Sequence, residues 1–227
     1  MFMEIPREVA VMILPEATLF PQALLPLFIF EPRYRRMLAD SLAGHRLFAV
    51  AMLRPGSLRE SPAGVAGLGL IRVSVENPDG TSHLILQGLT RIGLEETVRY
   101  KPYRVHRVRP LQPIPSDNLT IDALLAKVRD LVNERVQLGM TFGASVTQPG
   151  AKAPATFLTP KDVVSFLDRI EDADQVADLV SCAMLSRPQE RQAILETIEV
   201  EPRLRRLIHF LMAEIRQRRK GSGDEQS

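Results

Sequence analysis

Short runs of apolar, β-branched and aromatic residues recur through the first half of the chain. Runs of this kind, bounded by turn residues, are typical of β-strands. In one of them Ile71, Val73 and Val75 alternate with mostly polar residues, which is the period of a half-buried strand. The seven predicted strands are Glu8–Leu14, Leu24–Phe30, Arg46–Leu53, Leu70–Glu76, Thr81–Leu89, Arg91–Arg99 and Tyr103–Arg109.

One helix interrupts these strands. Pro32–Ala43 has proline at its first position and Gly44 directly after its last, with apolar residues three and four positions apart. Asn77-Pro78-Asp79-Gly80 supplies a turn between two of the strands, because Asp-Gly tolerates a positive φ. Seven strands with one inserted helix indicate a closed or nearly closed β-barrel.

The apolar period becomes helical after a proline-rich connector near residue 115. Ser116 or Asp117 caps the first of these helices, and Thr159-Pro160 opens a second by the same logic. Between them, Thr141–Ala155 has the composition of a mobile loop. Apolar stripes at helical spacing comprise Ile121, Leu124, Leu125, Val128, Leu131 and Val132; Val176, Leu179, Val180, Ala183 and Met184; and Leu204, Leu207, Ile208, Leu211 and Ile215.

The last stripe begins after Pro202 and is predicted to end at Gly221. We therefore predict a β-barrel subdomain over residues 1–115, a helical subdomain over residues 116–220 and a disordered tail over residues 221–227.

Composition excludes several classes of protein. The 227 residues are 45% apolar and 25% charged with a net charge of +2, which is typical of a globular protein. The one cysteine, Cys182, excludes an intrachain disulfide and a multi-cysteine metal site. Neither a secretory signal nor an apolar run of about 20 residues is present, so we expect a cytoplasmic protein with no membrane partner.

Motifs for catalysis or cofactor binding are also missing. The four histidines are far apart and form no zinc motif, and a strand rather than a helix follows Gly64, Gly67 and Gly69, so these glycines form no phosphate loop. Glycines in such a strand let it bend so that a barrel can close. We predict no catalytic residue, no cofactor and no metal site.

The last predicted helix is rich in arginine. One interpretation is a solvated face with cations favoured near a helix C-terminus. The alternative is a basic patch for nucleic acid or an acidic partner, although aromatic residues for base stacking are missing around it. The residues of this candidate patch are Arg203, Arg205, Arg206, Arg216, Arg218 and Arg219.

Several motifs occur together in a fixed order along the first half. They are Val11-Met12-Ile13-Leu14-Pro15, Phe20-Pro21, Leu25-Pro26-Leu27-Phe28-Ile29-Phe30-Glu31-Pro32-Arg33-Tyr34-Arg35-Arg36-Met37, Gly67-Leu68-Gly69-Leu70-Ile71, Asp79-Gly80 and Leu86-Gln87-Gly88-Leu89-Thr90-Arg91. With these motifs, residues 8–218 resemble the N-terminal substrate-binding domain of Lon-type ATP-dependent proteases. The resemblance implies the α+β class: an N-terminal PUA-like β pseudo-barrel with one inserted helix, followed by a C-terminal helical bundle.

The ATPase and peptidase modules of Lon proteases have no counterpart in these 227 residues. Pro160-Lys161-Asp162-Val163-Val164-Ser165 is similar to the catalytic-serine motif of that family, but Val163-Val164 replaces its Gly-Pro. We therefore expect a stand-alone, non-catalytic form of the domain.

The resemblance implies binding of unfolded or partly folded polypeptides, with a protease or chaperone ATPase as a further candidate partner. Open strand edges accept an extended peptide by main-chain pairing, and a groove between barrel and bundle would take apolar side chains. The candidate peptide-binding residues are Leu25, Leu27, Phe28, Phe30 and Tyr34. Two alternatives remain open: segment Leu24–Phe30 is plain core, or the protein binds RNA through its basic C-terminal helix.

Overall fold

The computed structural model describes residues 4–57, 60–112, 119–140 and 160–224. The described residues up to 112 form one unit, and residues 119–140 with 160–224 form a second. The predicted cap residues Ser116 and Asp117 and the predicted loop Thr141–Ala155 lie outside the described residues.

The first unit is built on one sheet that closes on itself. Its strands lie in the order β2-β5-β4-β3-β1-β6, and β5 also pairs with β6, so that β5, β4, β3, β1 and β6 form a ring. Strands β1 and β3 are parallel, and the other pairs are antiparallel. The elements are β1 (Glu8–Leu14), β2 (Leu24–Ile29), α1 (Pro32–Ala43), β3 (Leu47–Met52), β4 (Val65–Glu76), β5 (Ser82–Arg99) and β6 (Arg104–Leu111).

Strand β5 corrects the predicted strand number, because the described residues contain six strands and not seven. The predicted strands Thr81–Leu89 and Arg91–Arg99 are one continuous strand, because a bulge at Leu89 bends the chain without ending it. The first part of β5 pairs with β2 and the second part with β6. This bend lets β5 belong to both the ring and its three-stranded extension β2-β5-β4.

Two apolar clusters fill this unit. Val11 of β1, Leu68 of β4 and Ile92 of β5 belong to the cluster inside the ring. Met12 of β1 belongs to a second cluster, which the inner face of β2 forms with helix α1. Strand β1 is buried on both faces, which is why its sequence is almost continuously apolar.

Two glycines bring a loop close to the sheet. A Cβ on Gly67 would lie 1.9 Å from the carbonyl oxygen of Leu19, and a Cβ on Gly88 would lie 1.9 Å from the carbonyl oxygen of Phe20. The backbone amide of Gly88 donates to the carbonyl of Ala23 at 2.8 Å. Glycine is therefore required at these strand positions by the close approach of another backbone segment.

The second unit is helical. Asp172 caps α4 by accepting a hydrogen bond from the amide of Asp174 at 2.9 Å. The last helix begins two residues before Pro202 and continues three residues past Gly221, where its end was predicted. The helices are α2 (Leu119–Gln137), α3 (Pro160–Leu167), α4 (Ala173–Met184), α5 (Pro188–Glu196) and α6 (Val200–Asp224).

Three buried arginines bind carbonyl groups at or just after helix C-termini in this unit. Arg135 donates to the carbonyl of Met184 at 3.0 Å, and Arg191 donates to that of Leu185 at 2.8 Å. Arg203 donates to the carbonyl of Thr197 at 2.7 Å. Carbonyls at helix C-termini have no partner within the helix, so these side chains satisfy them. The expected α+β class is confirmed: a β pseudo-barrel with one inserted helix precedes a set of packed helices.

Candidate functional site

The extension β2-β5-β4 has one face against α1 and the opposite face in solvent. Ile85 of β5 pairs with Pro26 of β2 and Val73 of β4, so these three residues share a face. The next row of the same face is formed by Phe28, His83 and Val75. Leu24 and Phe30 extend it at the two ends of β2. We call these eight residues the outer apolar face: Leu24, Pro26, Phe28, Phe30, Val73, Val75, His83 and Ile85.

Large apolar side chains are unusually exposed on this face. The exposed fractions are 59% for Leu24, 50% for Phe30, 49% for Val73 and 57% for Val75. No Asp, Glu, Lys or Arg belongs to the outer apolar face. A contiguous exposed patch of this kind is typical of an interaction surface.

The aromatic side chains of the face form a stack. The rings of Phe28 and Phe30 are 5.9 Å apart, and the ring of His83 is 4.7 Å from that of Phe28. Offset stacking at these distances stabilises aromatic pairs. The three rings lie beside the valines of β4 on the same face.

Three of the five candidate peptide-binding residues are in the core, which corrects the prediction for them. Leu25 and Leu27 alternate with Phe28 and Phe30 along the pleated strand and therefore point towards α1. Tyr34 is also buried, and its hydroxyl donates to the carbonyl of Ile13 and accepts from the amide of Ile13, both at 3.1 Å. Burial raises the pKa of Tyr34, so the phenol stays neutral.

The contribution of β4 to this face was not predicted from the sequence. The alternation of Ile71, Val73 and Val75 implied one shared face, but the register of β4 shifts between Ile71 and Val73. Such a bulge moves the residues after it to the opposite face. Ile71 is accordingly in the core, whereas Val73 and Val75 are in solvent.

The candidate basic patch on α6 is interrupted. Arg203 is fully buried against Asp174 and Asp178, which removes it from any surface and corrects its assignment. Arg205 forms an ion pair with Glu201 at 2.8 Å.

The other arginines of α6 are exposed, but two of them have partners within the unit. Arg206 donates to the hydroxyl of Thr197 at 2.8 Å, and Arg219 pairs with Glu134 at 2.8 Å. Arg216 and Arg218 are exposed on the same helix. The charge of the helix is thus partly neutralised, which weakens the case for a polyanion site.

Comparison with known proteins assigns the chain to a family. The family model described as the ATP-dependent protease La (LON) substrate-binding domain matches residues 8–213. The chain belongs to this family. The resemblance seen in the sequence motifs is thereby confirmed.

Relatives of this Lon-family chain include Lon proteases. The Lon protease of Dictyoglomus thermophilum is 24% identical over 215 residues, which cover 93% of this chain and 25% of that protein. Lon protease 2 of Herpetosiphon aurantiacus is 26% identical over 212 residues, which cover 92% of this chain and 24% of that protein. The chain therefore spans about a quarter of the length of the curated relatives it matches.

Solved structures of Lon N-terminal domains share the fold. The N-terminal domain of Mycobacterium avium complex Lon protease matches with a TM-score of 0.68 at 18% identity, over 90% of this chain and 98% of that one. The Lon N-terminal domain protein from Xanthomonas campestris matches with a TM-score of 0.62 at 18% identity, over 89% and 98%. Within the described part of this Lon-family chain, no helix is both long and apolar enough to cross a bilayer.

Proposed function

We propose that this Lon-family domain binds unfolded or partly folded polypeptide segments on its outer apolar face, without making or breaking a covalent bond. The observation that carries the proposal is the uncharged cluster of exposed large side chains on β2, β4 and β5. Unfolded chains expose apolar side chains that a folded protein hides. Burying them against this face removes apolar area of both partners from water.

Side-chain burial is favoured over main-chain pairing as the mode of binding. In the described residues β2 pairs with β5 only, so one of its edges is open. Pro26 lies in the middle of β2 and has no N–H group to offer to an added strand. A partner that extends the sheet here lacks one main-chain hydrogen bond, which favours contacts with the face.

The available area sets the size of the expected effect. Phe30 is half exposed. Half of roughly 200 Å² for a phenylalanine, at roughly 25 cal/mol per Å², is worth up to about 2.5 kcal/mol. Ordering of the partner offsets part of this free energy, so Phe30→Ser is expected to weaken binding by about tenfold.

The test measures binding of a permanently unfolded protein. Fluorescein-labelled lactalbumin, reduced and blocked with iodoacetamide, is titrated with the parent protein and the Phe30→Ser and Val75→Ser variants, and anisotropy is followed. Val98→Ser is the matched control, because Val98 is 44% exposed on β5 but lies outside the face. Both face variants should bind more weakly than the parent, while the control binds like the parent.

The dependence of binding affinity on salt concentration distinguishes polypeptide binding from the RNA-binding alternative. Apolar burial should persist between 50 and 300 mM salt, whereas binding through phosphate contacts falls steeply over the same range. Unchanged affinity in both face variants, or retention of RNA with a steep salt dependence in place of lactalbumin binding, would refute the proposal.

A further inference from the structure

One cavity in the first unit is separate from the outer apolar face. It has a volume of about 360 Å³ and lies beside β1, the start of α1 and the turn between β5 and β6. A volume of this size is at the lower end of ligand-binding pockets and accommodates one large side chain or small molecule. All three tyrosines of the chain line it: Tyr34, Tyr100 and Tyr103.

One wall of the cavity is a closed ion-pair cluster. The guanidinium of Arg33 donates two hydrogen bonds to the carboxylate of Glu60, at 2.5 and 2.8 Å, and a third to Glu31 at 2.9 Å. It also lies 4.6 Å from the ring centre of Tyr34. The hydrogen bonds to Glu60 raise the pKa of Arg33 and hold its charge in place. Arg33 is therefore already paired with Glu31 and Glu60 and is not available to bind a ligand.

Two further cations line the cavity without such a partner. In the described part of the chain, no carboxylate lies within ion-pair distance of Lys101 or Arg104. The guanidinium of Arg104 lies 5.4 Å from the ring centre of Tyr100, which orients it while its N–H groups keep their hydrogen-bonding capacity. Because Arg33 is paired with Glu31 and Glu60, the positive charge that favours an anion in the cavity comes from Lys101 and Arg104.

Apolar groups stand beside these cations. Tyr100 is 64% exposed at the cavity, and Pro102 lies between Lys101 and Arg104 in the turn. An arginine fork with a neighbouring ammonium group suits a carboxylate, and the ring of Tyr100 with Pro102 suits an aromatic or aliphatic group attached to it.

We propose that this cavity binds a carboxylate carried by an apolar group, with Lys101 and Arg104 pairing with the carboxylate. The free C-terminus of a polypeptide ending in phenylalanine or leucine has this chemistry, and so does a small aromatic acid. The site shares no residue with the outer apolar face, so it does not rest on the function proposed above.

The tyrosines provide a local probe, because the chain has no tryptophan and its three tyrosines all line the cavity. Tyrosine fluorescence is recorded while the protein is titrated with acetyl-Ala-Ala-Leu as the free acid and as the C-terminal amide. Phenylacetate and phenylacetamide form a second matched pair. The acid of each pair should bind at least about tenfold more tightly than its amide, the size of one charge-assisted hydrogen bond.

Substitutions then assign the preference. Lys101→Gln and Arg104→Gln should each reduce the difference between acid and amide by about fivefold or more. Arg109→Gln is the control, because Arg109 lies on the same strand and is 65% exposed but does not line the cavity. Unchanged circular dichroism in all three variants shows that they fold.

The two ligand pairs distinguish the sources of the carboxylate. A preference shown by both pairs supports the site and assigns it to carboxylates in general, whereas a preference of the peptide pair alone supports it as a site for chain termini. Equal binding of acid and amide in both pairs would overturn the proposal. So would an equal loss in Arg109→Gln, or tighter binding of phenyl phosphate than of phenylacetate.

Discussion

Replacement of Arg203 by methionine should destabilise the helical unit severely. Arg203 is fully buried, donates to the carbonyl of Thr197 at 2.7 Å and forms ion pairs with Asp174 and Asp178. The side chain of Asp178 is only 4% exposed. Methionine fills a similar volume but removes the cation that pairs with the buried carboxylate of Asp178.

The expected loss in the free energy of unfolding follows from removing one partner of a buried ion pair. Removing one partner of a buried ion pair destabilises a protein by about 3–5 kcal/mol. With a urea dependence of about 2 kcal/mol per M, the unfolding midpoint should fall by about 2 M. Circular dichroism at 222 nm monitors the change, because five of the six helices among the described residues, α2 to α6, belong to this unit.

Two further variants separate this mechanism from a general effect of losing charge on α6. Arg205→Met removes an exposed ion pair two residues along the same helix, so its midpoint should shift by less than about 0.3 M. Asp178→Asn in the Arg203→Met background removes the buried negative charge that has lost this cation and should recover part of the loss. A midpoint for Arg203→Met within 0.3 M of the parent, or one equal to that of Arg205→Met, would refute the reasoning.

Two further predictions concern the stability of the first unit, which is measured by tyrosine fluorescence during unfolding in urea. Gly88→Ala places a Cβ 1.9 Å from the carbonyl oxygen of Phe20 and should cost about 1–3 kcal/mol, whereas Gly64→Ala, with no atom within 4 Å, should be neutral; equal stabilities would contradict the close approach. Burial lowers the pKa of His106 below its ordinary value of 6.5, so the folded state binds fewer protons than the unfolded state and stability should fall as the pH drops below 6.5. His106→Gln should remove that part of the pH dependence, and an unchanged pH profile in this variant would contradict it.

Local sequence signals were sufficient to predict the bounds of an element when those bounds depend on its own residues. Strand β1 and helix α1 have the predicted bounds, Glu8–Leu14 and Pro32–Ala43. The helix is marked by proline at its first position and Gly44 at its end, and the strand by an uninterrupted apolar run. Other features of the fold depend on contacts between elements. The bend in β5 depends on its two different partners, so its two parts looked like separate strands.

The candidate site was only half predictable for the same reason. Alternation along β2 puts Phe28 on one side and Leu27 on the other, but the sequence does not say which side α1 covers. On β4, one bulged residue reverses the faces of Val73 and Val75. Arg203 looked like a surface cation, because its partner Asp178 is distant in the chain.

The outer apolar face keeps large apolar side chains accessible while one of its strands resists pairing with another sheet edge. In most sheets these two properties oppose each other. Exposed apolar side chains on an edge strand favour aggregation through edge pairing. Here Pro26 lies in that edge strand and removes a donor that a second strand would need, while Leu24, Phe28 and Phe30 stay accessible. The buried residues between them are packed against α1, so the accessible ones are held in fixed positions before a partner arrives. A surface that contacts side chains without sharing a backbone ladder imposes no register on its partner. This tolerance is what the proposed binding of many different unfolded segments requires.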